Sequence, residues 1–241
     1  MLKRLALVSI IALLGAACSP SAAPAPSTGA TPEAAGLSLS PAWTGDESFS
    51  YDIVGVQDGA KAGTGIVKIT PAADSTTIEQ TYTFGEVVQH FVTRVDSKNL
   101  KPIGGEMSFT GSPNAFSLTT QYQDGKLVIT AKTAEGDKNA TVDVAADAVD
   151  NDSLLMILRG LPLKEGFSTS LNIAIGASAA QVKGTVNVTG KEPVTVPAGT
   201  FETYKIELDF GGQKQGAWYD VAAPHTMIQY DNGATKFVLT K

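Results

Sequence analysis

Residues 116–131 read FSLTTQYQDGKLVITA, and how this stretch is read decides the fold. Phe116, Leu118, Thr120 and Tyr122 fall at every second position, and so do Leu127, Ile129 and Ala131 beyond them. A period of two belongs to a strand, whose successive side chains leave on opposite faces. Between the two runs stands Gln123-Asp124-Gly125-Lys126. An Asp-Gly pair in that place suits a type I′ turn, because both of its central residues need φ > 0. The stretch predicts a β-hairpin.

The same rhythm extends outward in both directions. Toward the N-terminus it runs through Phe49, Tyr51 and Ile53, then Ile66, Val67 and Ile69, then Ile78, Gln80, Tyr82 and Phe84, and then VVQHFVTRV at 87–95. Toward the C-terminus come Leu171 to Ile175, Val182 to Val188, Tyr204 to Phe210, Ala217 to Val221, Met227 to Tyr230 and Phe237 to Leu239. Short runs separated by Gly, Pro, Asn and Asp point to a mainly β fold. The expected architecture is an antiparallel barrel or strongly curved half-open sheet of about ten to twelve strands with one short helix. That helix is expected in DNDSLLMILRGLPL, residues 150–163, where Leu154, Ile157, Leu158 and Leu161 stand at helical spacing. Asp152 or Ser153 is placed to cap its start, Gly160 to let the chain leave, and Pro162 to stop it.

VPAGTFETYKIEL, residues 196–208, has the look of a signature. Pro197 fixes φ at the second position of a turn, Ala198 fits the third, and Gly199 supplies a fourth position where φ can be positive. Beyond it Tyr204, Ile206, Leu208 and Phe210 form an apolar face, whereas Thr203, Lys205, Glu207 and Asp209 form a wet one. The polar residues here are expected to face solvent rather than a ligand.

The chain begins MLKRLALVSIIALLGAACS. Lys3 and Arg4 precede an uncharged run from Leu5 to Ala17, which as a helix would span roughly 20 Å, short of the roughly 30 Å of a bilayer core. A charged start, a short apolar run and small residues before Cys18 describe an export leader. Gly15-Ala16-Ala17-Cys18 resembles the lipobox of bacterial lipoproteins, although Leu14 stands one place further out than usual. The resemblance implies cleavage between Ala17 and Cys18 and acylation of Cys18, palmitate included. It further implies a lipid-anchored location in the cell envelope: the outer membrane facing the periplasm where there are two membranes, otherwise the outer face of the cell membrane. Residues 18–42, rich in Ala, Pro, Ser and Thr with Glu33 as the one charge, are expected to be a disordered tether. The division is therefore 1–17 leader, 18–42 tether and 43–241 a single β domain.

Composition excludes several function classes. The formal net charge is -6 over 241 residues, and an acidic chain with no basic cluster repels phosphate backbones, so no nucleic acid is expected. One cysteine leaves no disulfide framework and no cysteine-based zinc site. Two histidines, His90 and His225, are too few for a three-histidine metal site. His90 falls on the strand face shared by Val88, Val92 and Arg94, and His225 follows Pro224 in a turn, so both read as structural. Counted from Asp147, an EF-hand loop would need Gly where Asp152 stands and Glu where Leu158 stands. The acidic run Asp147, Asp150, Asn151 and Asp152 is better explained by capping and the helix dipole. No nucleophile elbow, phosphate loop or zinc-protease motif occurs. No catalytic residue, metal or cofactor is expected.

LRGLPLKEG, then VTVPAGTFETYKIEL, then GAWYDVAAPHTMIQY resembles a widespread family of exported bacterial proteins of unknown function with a mostly β domain. In that family a Pro-Ala-Gly-Thr-Phe turn precedes a long strand and a Trp-Tyr strand follows; no catalytic residues come with the resemblance. The architecture is also similar to the half-open barrels of lipoprotein carriers, whose concave apolar face holds acyl chains. The expected role is a non-catalytic envelope module binding an apolar or amphipathic ligand. The alternatives are an assembly lipoprotein that binds another envelope protein, and an enzyme acting on envelope glycans or lipids.

Overall fold

In the hairpin at 116–133, Asp124 has φ of 52° and Gly125 of 71°, as a type I′ turn requires. It joins β6 (Phe116–Gln123) to β7 (Lys126–Thr133), with Gln123 opposite Lys126. The computed structural model describes residues 39–241. Ala17, Cys18, the leader and residues 18–38 of the tether lie outside the described residues.

From this hairpin the sheet continues on both sides as one curled surface. β1 (Glu47–Gly55), β2 (Lys61–Pro71), β3 (Ser75–Phe84), β4 (Val87–Asp96), β5 (Pro102–Thr110), β6, β7 and β8 (Gly136–Asp143) follow one another as antiparallel neighbours. The chain then crosses to the far side. There β9 (Val149–Asp150) lies parallel to β10 (Ser168–Ile175), and β11 (Ala180–Val196), β12 (Gly199–Phe210), β13 (Gln213–Asp220), β14 (Met227–Asp231) and β15 (Thr235–Leu239) return antiparallel. β15 closes on β1, so the chain enters this sheet in its middle and leaves it there. The curl brings the ends of the sheet together through side chains and turns. The Ala145 N–H donates to Gln181 Oε1 at 2.7 Å, and Asn172 Nδ2 donates to Asp147 Oδ1 at 2.8 Å. Gly176, just after β10, sits so close to β6 that a Cβ there would stand 2.8 Å from Thr120 Cγ2.

The fold class is as expected, but fifteen strands are present among the described residues rather than ten to twelve. The three that the rhythm hides are β5, β8 and β9. β5 carries Gly104 and Gly105, whose added Cβ atoms would stand 2.5 Å from Thr120 O and 2.6 Å from Val92 O. Close strand approach demands glycine there, and glycine erases the alternation. β8 reads GDKNATVD and is exposed over its first four residues, with Asp137 and Lys138 on an edge strand where charge discourages pairing with other chains. β9 is two residues long and exists only because β10 accepts it.

The interior is filled by the chain itself. After β9 the backbone turns inward as α1 (Leu154–Ile157) and one 3-10 turn (Leu158–Gly160). Leu154, Met156, Ile157 and Leu158 are each 1% exposed, and they pack with Ile53, Ile78, Ile173, Ile206, Tyr219 and Phe237 in one core. Burying such a side chain stabilises by roughly 1.5–3 kcal/mol. The helix is shorter than the spacing predicts, because Leu161 is already extended at φ -76°, ψ 155°. No side chain caps it either: Ser153 Oγ donates instead to the Asp150 carbonyl at 3.2 Å. The enclosing strands supply what a longer, capped helix would have supplied for itself. Tyr219 O–H donates to the Leu155 carbonyl at 2.7 Å, and Gln80 Nε2 donates to the Asp152 carbonyl.

Arg159 fixes the far end of this plug. Its guanidinium is buried and binds Glu47 through both arms, at 2.7 and 3.2 Å, and the Pro224 carbonyl at 3.0 and 3.1 Å. The rings of Trp43 and Phe49 lie 5.7 and 5.4 Å from it. One side chain thus joins the plug, the first strand and the loop after β13. The boundary drawn at residue 42 also moves, since Leu39 is only 9% exposed within the core and the Ser40 carbonyl crowds Gly160.

Candidate functional site

The acidic run at 147–152 is where chemistry would first be sought, and the structure divides it. Asp147 is exposed and holds Asn172, away from the others. Asp150 is buried: its Oδ2 accepts the Tyr122 O–H at 2.6 Å, and its Oδ1 accepts the Asp152 N–H at 2.8 Å. Asn151 Nδ2 donates to Asp152 Oδ1 at 3.1 Å, while Asn151 Oδ1 is buried without a donor. Burial, then the neighbouring Asp150, raises the Asp152 carboxyl to about 7. Burial raises Asp150 as well, against hydrogen bonds from Tyr122, Asp152 and Ser153 that favour its ionised form. These residues bind the plug to the sheet and hold a proton near neutrality. They are not the helix caps expected of them, because their oxygens serve the turn and Tyr122 instead.

The histidines lie where the strand pattern places them. His90 is on the outer side of β4, with Nε2 at 3.2 Å from Glu79 Oε1 on the paired strand. His225 sits in the turn after β13 at φ 58°, its Nδ1 at 2.9 Å from the Asp220 carbonyl and its ring edge-on to Tyr204 at 6.1 Å. Among the described residues, no group of three or more His, Cys, Asp or Glu is gathered as a metal site.

The VPAGT stretch is a two-residue hairpin, with Val196 opposite Gly199 and Gly199 at φ 139°. Its two-faced strand holds from Ile206 onward, where Ile206, Leu208 and Phe210 are buried. Before that it fails: Thr203, placed on the wet face, is fully buried and donates to the Glu192 carbonyl at 2.7 Å. Its partners across the ladder are Glu192 and Asp220, and the β12–β13 pairing runs without a shift, so Thr203 keeps the face of Lys205 and is buried there.

The concave face offers a different kind of site. Cross-strand pairing builds a row of Gln80, Phe91, Met107 and Leu118, all nearly inaccessible, against which the plug ends at the Asp152 carbonyl. The next row is Tyr82, Gln89, Phe109 and Phe116. Tyr82 and Gln89 are buried, but Phe109 and Phe116 stay half exposed. Their rings stack at 5.7 Å with planes 6° apart. Beside Phe116 a groove of about 250 Å³ opens between Pro113, Ala115, Thr133 and Ala134, with Glu135 and Lys138 paired at 2.9 Å on its rim. Apolar side chains at the floor and charge at the edge make an amphipathic slot. The pattern of residues gave no warning of it beyond two phenylalanines flanking Gly111-Ser112-Pro113-Asn114, because exposure depends on what the rest of the chain fails to cover.

Comparison with known proteins agrees with this architecture. Among solved structures, a β-barrel-like protein of the domain of unknown function DUF1849, from Brucella abortus, is similar with a TM-score of 0.57 at 11% identity, covering 80% of this chain and 95% of that one. A candidate exported protein with a YmcC-like fold, from Bacteroides fragilis, gives a TM-score of 0.34 at 10% identity, over 85% of this chain and 98% of that one. No curated protein matches the sequence. Residues 49–240 match the DUF3108 model, a protein of unknown function, and the chain belongs to that family.

Proposed function

We propose that this DUF3108 protein is an exported, lipid-anchored, non-catalytic envelope module that holds an amphipathic ligand, an acyl chain with a polar head, in the slot beside Phe116. The observation that carries the reading is the partly exposed Phe109–Phe116 stack, one cross-strand row beyond the plug on the concave face. Elsewhere the interior is occupied by Leu154 to Leu161, which leaves no room there for an acyl chain. Each methylene buried against the phenylalanines would contribute about 0.8 kcal/mol, and the Glu135–Lys138 rim suits a polar head. A groove of this size takes a segment of a lipid rather than the whole molecule, so binding is weak and exchangeable. Export and anchoring rest on the leader and Cys18.

Native mass spectrometry of the full chain, released gently from membranes, tests both parts. The wild type is expected to carry a lipid-sized adduct in addition to acylation at Cys18. Phe109→Ser with Phe116→Ser should lose the adduct and keep the acylation, whereas Cys18→Ala should lose the acylation and leave the membrane fraction. Bare wild-type protein, or an adduct that survives the double substitution in a folded variant, would sink the ligand reading.

A further inference from the structure

On the outer face of the sheet, away from the slot, β13 presents Lys214, Gly216 and Trp218 in alternation. Register places Lys205 and Gln229 on either side of Trp218, and Glu207 and Asp231 on either side of Gly216. The glycine is required by the indole: a Cβ at Gly216 would stand 2.7 Å from Trp218 Cη2, so the ring lies down across the strand. Trp218 Nε1 donates to Glu192 Oε1 at 2.6 Å, which holds the ring in that pose. A groove of about 280 Å³ results, with the half-exposed indole at one end, Gly216 in the floor and a carboxylate on each wall.

We propose that this groove is a saccharide-binding site, in which a neutral sugar ring stacks on Trp218 and its hydroxyls donate to Glu207 and Asp231. The polarised C–H face of a pyranose meets the negative face of an indole, and ionised carboxylates accept hydrogen bonds without competing donors of their own. Charge selects among ligands. Lys205 and Lys214 balance Glu207 and Asp231, so the lining has no net charge to attract an ion. An anion meets two carboxylates, and a cation meets Lys205, whose ammonium already stands 5.6 Å from the ring centroid. Asp231 is preset for the task, because one oxygen takes the Gly233 N–H at 2.8 Å and the other lies 3.5 Å from Lys236, fixing the carboxylate plane. Nothing in this site depends on the apolar slot, so each reading can fail alone.

The test is saturation-transfer NMR on the full chain with two probes at about 10 mM: a β-1,4-linked N-acetylglucosamine tetramer and maltotetraose. At least one is expected to show transfer, and titration should shift the fluorescence of Trp218 while Trp43, which is only 5% exposed, stays silent. Trp218→Ala should abolish the transfer, and Glu207→Ala should weaken binding at least fivefold with the fold intact. Gly216→Val, which lifts the indole, keeps the test valid should Trp218→Ala misfold. No transfer with either probe, or transfer that persists in these variants, overturns the proposal.

Discussion

The plug and the slot share one concave face, only one cross-strand row apart, yet they differ in almost every physical respect. Where the plug lies, Ile157 and Arg159 are each 1% exposed, and every strand facing them is sealed. One row further, Phe109 and Phe116 stack on each other and Phe116 touches the edge of the core, yet both keep part of their surface in solvent. The strands themselves are equally apolar inward in both places. What differs is whether the chain has a segment left to lay against them. A curled sheet of this kind makes more inner surface than its own plug can cover, and the remainder is where a ligand can compete.

The contrast can be broken first at the plug. Arg159→Ala strands Glu47 and the Pro224 carbonyl in the interior, so urea unfolding should show a loss of about 3–5 kcal/mol. Arg159→Met combined with Glu47→Leu should recover most of it, because neither charge is then left unpaired. The contrast sharpens when one core residue from each region is cut back. Ile157→Ala is expected to cost about 3 kcal/mol and Phe116→Ala about 2, since the second is only partly removed from water. Equal losses would mean that the slot is as closed as the plug.

The acidic turn gives a subtler measurement. Between 3.8 and about 7 the folded state holds a proton on Asp152 that the unfolded chain has released. The raised value therefore stabilises the fold most at low pH, and the contribution is lost as pH rises toward about 7, after which the slope flattens. Asp150, raised in the same direction, adds the same sign, and the groups around the pair are Tyr122 and Tyr82, with no cation to offset the charge. Denaturation midpoints measured from about pH 5 to pH 8 should fall by the equivalent of roughly 2 kcal/mol, and Asp152→Asn should remove the slope. A midpoint that stays flat over this range would show that the carboxyls are ionised throughout.

Much of the sheet was legible because a strand announces itself locally. The Asp124-Gly125 turn and the runs beside it needed no tertiary information. β5 was hidden by Gly104 and Gly105, whose reason for being glycine lies in strands β4 and β6. The plug was legible as a helix but not as an interior one. Its clue is a lone arginine inside LLMILRGLPL, which has to find a partner, and that partner, Glu47, is 112 residues away. Thr203 misled for a related reason: it keeps the outer face that the alternation assigns, but it is buried there between Glu192 and Asp220 on the neighbouring strands. The slot left no local trace, since an exposed phenylalanine and a buried one look alike until their neighbours are known.

The first and last strands are partners, joined even beyond the ladder by the Thr240 hydroxyl on the Ser50 carbonyl, 190 residues apart in sequence. Of the described strands, the one that closes the central seam therefore leaves the ribosome last. Until β15 emerges, β1 has one edge open and the two meanders have no common interior, so the cost of closing so long a loop comes before most of the gain. Until that strand emerges such a chain stays pliable. For a protein proposed to be threaded across a membrane behind a leader, late closure keeps it in the form in which threading is feasible.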